Sequence, residues 1–254
     1  MTAILALAGN TLRELARNKV LYLIALFSVL LIMGSLLLME ISIGQWARIV
    51  NDVSLTTIQL SGAAVAILIG VDLVAGEMDR RTVYVTLSKP VSRAQFVVGK
   101  YLGLCCTMFV LVGVMGGLLI MELYSIAEPP TTATLGALVL IFVELCILAA
   151  FAMVFSVFTT QSLGVMFATS IFVIGHMAGD LRLFAARMTS PWNSLLETLA
   201  NILPNLDQLN LKTQAANHLP VSAGFVVAAA AYGLCYSPVI LAIAAFIFSK
   251  RDFK

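Results

Sequence analysis

Six long apolar runs, near residues 20–39, 57–75, 101–121, 134–158, 163–179 and 221–248, constrain this chain more than any other feature of it. About 20 such residues make one helical passage through ~30 Å of hydrocarbon, where every backbone polar group must be satisfied within the helix. A transmembrane barrel would need short alternating segments instead. Composition agrees: 61% of the residues are apolar and 11% charged, against about 25% charged in soluble domains. A water-soluble enzyme of this size could not hide so much apolar surface. The expectation is an all-α, polytopic membrane protein, with residues 1–254 forming one transmembrane domain. The last run is longer than a bilayer needs and contains Pro238, so it is expected to tilt, to kink or to begin outside the lipid.

Orientation follows from lysine and arginine. With six spans both termini share a side. Of the 15 basic residues, that side takes Arg13, Arg17, Lys19, Arg80, Arg81, Lys89, Arg93, Lys100, Lys250, Arg251 and Lys254. Only Arg48, Arg182, Arg187 and Lys212 fall opposite. The termini are therefore read as cytoplasmic. The start of the chain is read as a signal-anchor, because its apolar run is too long for a signal peptide and lacks a cleavage site.

Three segments lie between or before the spans. Residues 3–18 place Ile4, Ala8, Leu12 and Leu15 on one stripe, as in an interfacial helix with Arg13 and Arg17 turned toward phosphates. In 76–100, residues 77–87 read as a short helix, Lys89-Pro90 as a break, and Ser92 as the cap of a new helix. That sequence of elements suits docking as well as it suits a plain basic loop. In 180–220, Ser190-Pro191 starts an amphipathic helix stopped by Pro204, with Trp192 at headgroup level and 203–212 irregular.

Nothing in the chain signals chemistry of its own. Gly99-Lys100 is followed by Tyr101, so no nucleotide-binding P-loop exists, and neither a zinc-protease nor a serine-hydrolase motif occurs. No catalytic and no metal-binding residue is assigned. Cys105, Cys106, Cys146 and Cys235 lie in predicted spans and read as small core residues. His176 reads as a local partner of Asp180, four residues on. Glu144 is the one charge near the middle of a span. A charge there costs about 2.5–3.5 kcal/mol, so it is expected to face protein or a cavity, either in a pathway or inter-subunit contact or as a neutral carboxyl bonded to a neighbouring helix. Gly99/Gly103, Gly113/Gly117 and Gly175/Gly179 permit close helix contacts.

Glu77, Arg81-Thr82, Leu87, Lys89-Pro90-Val91-Ser92-Arg93 and Gly99-Lys100 resemble the first cytoplasmic loop of type-2 ABC transporter permeases (the ABC-2-type membrane subunits). The stretch Asn10–Lys19 is similar to that family's interfacial helix, and Phe248–Phe253 to its usual ending. The six-span layout also matches, most closely the NosY-like branch, whose ATPase is a separate chain. Arg81 stands where glycine is usual. The resemblance implies a permease subunit, probing no chemistry itself, that pairs with a second permease copy or a related permease and with a cytoplasmic ABC ATPase dimer. The ATPase would bind the ATP and Mg; this chain would hold no cofactor. The resemblance also implies coupling through the loop 76–95, carried by Glu77, Arg80, Arg81, Thr82, Leu87, Pro90 and Arg93, in a bacterial inner membrane. Few charges in the spans suit export of an apolar or amphipathic cargo, or force transmission to an extracytoplasmic partner. Nucleic acid is not an expected partner. A membrane-embedded enzyme and a stand-alone secondary transporter are the alternatives.

Overall fold

The computed structural model describes residues 2–39, 46–79, 92–185, 193, 198 and 203–250, and among these the secondary structure is entirely helical. The helices are α1 (Thr2–Leu15), α2 (Lys19–Met39), α3 (Trp46–Asp79), α4 (Arg93–Ser125), α5 (Thr132–Phe158), α6 (Gln161–His176), α7 (Ala178–Ala185), α8 (Lys212–Ala216) and α9 (Ala223–Lys250). A single 3-10 turn, Asp207–Leu209, precedes α8.

Four helices (α3, α4, α5 and α9) are long and apolar enough to cross a membrane, and the bent pair of α1 and α2 makes a fifth. The bend between α1 and α2 is 64°. It is held by the Tyr22 hydroxyl, which donates to the carbonyl of Ala16 at 2.7 Å, and by Asn18 Oδ1, which accepts from the Val20 amide at 2.9 Å. With 16 residues α6 is shorter, about 24 Å at 1.5 Å per residue, and breaks at Met177 before α7.

The centre of the bundle is α3 against α5. In their most apolar stretches 78% and 72% of residues are buried, against 17% in α9. Leu23, Leu26, Phe27 and Leu30 on α2, and Val227, Leu234, Val239 and Phe246 on α9, are exposed. A belt of that kind is tolerated only where lipid or another apolar surface covers it. Pro238 lies within α9, as the sequence placed it.

The sequence-based boundaries need one large correction. The second run, read as starting at 57, belongs to a helix that starts at Trp46. Its first turns carry Asn51, Ser54, Thr57, Gln59 and Ser61, all buried. Hydropathy counts these polar side chains against a span, yet most meet partners inside the bundle. Asn51 Oδ1 accepts from the Thr134 hydroxyl at 3.1 Å, for example.

Two ends of the bundle can be told apart by their contacts. At the α1 end, Asn18 and Val20 line one cavity with Asp72 and Gln161, and Arg93 meets the end of α9. At the opposite end, Trp46, Ile126, Glu128 and Ala216 line another cavity.

Candidate functional site

At the α1 end, the residues flanking the sequence-predicted coupling loop are tied to the bundle. Glu77 lies in the last turn of α3, not in a separate helix. Its carboxylate pairs with the Lys100 ammonium, which also donates to Glu14 of α1 at 3.0 Å. Lys100 is only 3% exposed, so its charge is compensated by these two carboxylates and little else. One buried ammonium thus joins α1, α3 and α4.

On the far flank of the loop, Ser92 caps α4 as the sequence indicated. Its hydroxyl accepts from the Gln95 amide at 3.2 Å, and Gln95 Oε1 accepts from the Ser92 amide at 3.0 Å. This is the reciprocal capping box. Arg93 then donates to the carbonyls of Ser249 at 3.1 Å and Phe248 at 3.4 Å. A cation on the last carbonyls of α9 satisfies groups that have no partner within the helix. The Phe96 and Phe248 rings stack beside it, 5.7 Å between centroids. Arg80, Arg81, Thr82, Leu87 and Pro90 lie outside the described residues, as does Trp192 with most of the helix read from Ser190. Arg13 and Arg17 are exposed on and just after α1.

The second cluster surrounds Glu144, which has no exposed surface. Gln59 Nε2 donates to Glu144 Oε2 at 2.7 Å and lies 2.8 Å from His176 Nε2. His176 Nδ1 is 3.0 Å from the carbonyl of Phe172, which fixes the ring with its proton on Nδ1 and leaves Nε2 to accept from Gln59. With both amide hydrogens used, Gln59 Oε1 accepts from Lys212 Nζ at 2.5 Å. One amide, Gln59, thus stands between the Lys212 ammonium and the Glu144 carboxyl and bonds to both. Glu144 Oε1 lies 3.5 Å from His176 Nε2. Glu144 therefore faces protein, as expected, and does so within one chain. His176 bonds to Gln59 and the Phe172 carbonyl rather than pairing locally with Asp180.

Lys212 reaches the cluster from the segment 203–217, which is seated on the bundle. Leu206 and Leu209 are fully buried and Leu211 nearly so. The Leu206 amide donates to the carbonyl of Gly175 at 3.1 Å, and the Asn205 amide to the Tyr232 hydroxyl at 3.2 Å. A side chain at Gly175 would meet Leu206 at 2.7 Å, so that glycine admits the segment. Gly99 and Gly103 likewise admit α1. Gly113 and Gly117 face open space instead.

Sequence reasoning missed a second buried carboxylate. Glu122, 5% exposed, accepts from the hydroxyls of Ser35 and Ser54 at 3.4 Å each. The signal was its closeness to the end of a run that continues four residues further as helix. All four cysteines are unpaired; Cys146 is buried, but Cys106 and Cys235 are exposed rather than in the core.

An all-helical bundle with an apolar exterior and its polar contacts inside is an integral membrane protein. A family model described as ABC-2 family transporter protein matches residues 5–253, and the chain belongs to that family. Its members are membrane subunits of ABC transporters, not themselves catalytic, and work with a cytoplasmic ABC ATPase. Comparison with curated proteins gives no match.

Proposed function

We propose that this chain is the permease of an ATP-driven exporter of the NosY-like branch, coupled to a separate cytoplasmic ATPase through the loop 76–95. Two permease copies and two ATPases form the working complex in a bacterial inner membrane, with both permease termini cytoplasmic. ATP and Mg are bound by the ATPases alone.

The observation that carries this reading is the anchoring of both flanks of the loop. A push delivered at 80–91 passes through Glu77 and Lys100 to α1 and α4, and through Arg93 to the end of α9. Flanks tied by charge and by a capping box transmit displacement; flanks joined by flexible chain would absorb it. Arg80, Arg81, Thr82, Leu87 and Pro90 are assigned to the ATPase contact itself, with Glu77 and Arg93 as the anchors beside it. Six crossings are supported by the path of the chain. The contacts of α2, α3, α4, α5 and α9 agree with alternate passages between the two ends defined above, and α6, which starts beside Asp72 and ends at Glu144, is assigned the remaining one.

Copurification with site-specific crosslinking tests the reading. A photo-reactive residue at 81 is expected to crosslink to an ABC ATPase, and Arg81→Glu to leave insertion intact while separating ATP hydrolysis from transport. An assembled, active complex in which no position from 80 to 91 crosslinks to an ATPase refutes it.

A further inference from the structure

Glu144 is a carboxyl group with no exposed surface, on a helix long and apolar enough to cross a membrane, and the Lys212 ammonium that bonds to its partner Gln59 comes from outside the long helices. Lys212 is carried on a short helix at the edge of the bundle, and its ammonium enters the interior to reach Gln59 Oε1. Gln59 is held at its Nε2 by both Glu144 Oε2 and His176 Nε2, so its carbonyl oxygen is aimed at the ammonium before any ligand arrives. A fixed amide oxygen backed by a buried carboxylate is a receptor for one primary ammonium. The chain supplies that group itself, on a segment whose other holds are the apolar side chains of Leu206, Leu209 and Leu211 and a few hydrogen bonds.

We propose that Gln59 and Glu144 form a seat for a single primary ammonium, filled by Lys212 in this conformation and by the ammonium of an amphipathic amine when the segment 203–217 lifts. Lifting the segment without a replacement cation takes away the ammonium and leaves the buried Glu144 with only the Gln59 amide and His176 beside it, which is costly. An amine that enters removes that cost, so occupation of the seat and opening of the segment are linked. The seat rests on the structure alone; its use for cargo rests on the permease reading above.

Chemical rescue on the purified full-length chain tests the seat without any ATPase, so its outcome is independent of coupling. Lys212→Ala is expected to lower the unfolding midpoint by about 3–6 °C, the range for losing one buried polar contact in a chain of this size. Added n-butylammonium, which carries the whole four-carbon chain and ammonium of a lysine side chain, is expected to restore it saturably, as a ligand of the native state does. n-Butanol and tetramethylammonium are expected not to, and Lys212→Ala combined with Glu144→Gln is expected to lose the rescue. Equal rescue by butanol, or rescue that survives Glu144→Gln, overturns the proposal. A second measurement covers a variant that does not fold. In the otherwise native chain lacking its four cysteines, Leu209→Cys is expected to react slowly with a membrane-impermeant maleimide. Butylammonium, by competing for the seat, is expected to speed it about tenfold, and butanol is not. Indifference of that rate to the amine also refutes the seat.

Discussion

Ala127 and His218 hold positive φ angles, 60° and 51°, that L-residues seldom adopt. Both close a helix. The Glu128 amide donates to the carbonyl of Leu123 at 3.0 Å, and the Leu219 amide to that of Gln214 at 2.9 Å. In this type of helix ending the left-handed position usually belongs to glycine. Ala127→Gly and His218→Gly are each expected to stabilise the chain by up to about 1 kcal/mol, measured as a rise in unfolding midpoint, with the strain relieved partly offset by glycine's greater freedom when unfolded. Glu144 yields the opposite test. Glu144→Gln keeps an oxygen for Gln59 and is expected to assemble with a modest loss, whereas Glu144→Leu removes the oxygen that Gln59 Nε2 donates to and costs about 1–3 kcal/mol more. The importance of Glu144 was legible in the sequence, since a lone carboxylate in an apolar run must have a partner. Its partners were not: Gln59 lies 85 residues away from it, and Lys212 a further 153 from Gln59. Periodicity speaks of neighbours three and four apart and is silent at such separations.

Packing of α1 on α4 decides how the loop flanks behave as elements. A methyl placed on Gly103 would lie 2.6 Å from Cβ of Thr11 and 2.9 Å from the carbonyl of Ala8; one on Gly99 would lie 2.6 Å from Cβ of Leu7. Backbone lines that side of the contact, so α1 must move if the glycine grows. Gly103→Leu is expected to lift α1 from α4, leaving insertion intact while ATP hydrolysis becomes insensitive to the permease; unchanged coupling in an assembled complex would count against α1 as a transmitting element. Lys100→Met is expected to destabilise the same junction by about 1–3 kcal/mol, because the part-buried Glu77 carboxylate loses its ammonium partner. The half-exposed Glu14 adds little, being solvated. Adding Glu77→Gln to Lys100→Met should recover part of the loss, which a thermal-melt double-mutant cycle reads directly. The helical class, the pair Gly99/Gly103 and the Ser92 cap were all legible as local patterns. The start of α3 was not, because its buried Asn51 and Ser54 resemble loop residues until the Thr134 hydroxyl and the Glu122 carboxylate that meet them are known.

At the scale of the molecule, the proposed six crossings make the count even. Val226, near the start of α9, packs by Gly136 near the start of α5, and Phe248, near the end of α9, stacks on Phe96 at the start of α4. The segment 206–218 lies at the end of the bundle that also holds Trp46 and Glu128, while Gln161 lies at the other with Asp72. Under the proposed six crossings the chain passes from one end to the other between 161 and 206, and α6 is the apolar helix assigned to that passage. Were α6 only a re-entrant hairpin, position 207 would share a side with the loop 80–91, and position 254 would fall on the opposite one. Single cysteines in an otherwise cysteine-free chain separate the two cases. Glu128 and Asp207 are exposed, so Glu128→Cys and Asp207→Cys are expected to react with an impermeant reagent from the outside of intact cells. Lys89→Cys and Lys254→Cys are expected to react only after the membrane is opened. Glu128→Cys and Lys89→Cys fix the direction, and Asp207→Cys and Lys254→Cys fix the parity. Outside labelling at 128 and 254 with none at 207 would remove α6 as a crossing and leave five spans.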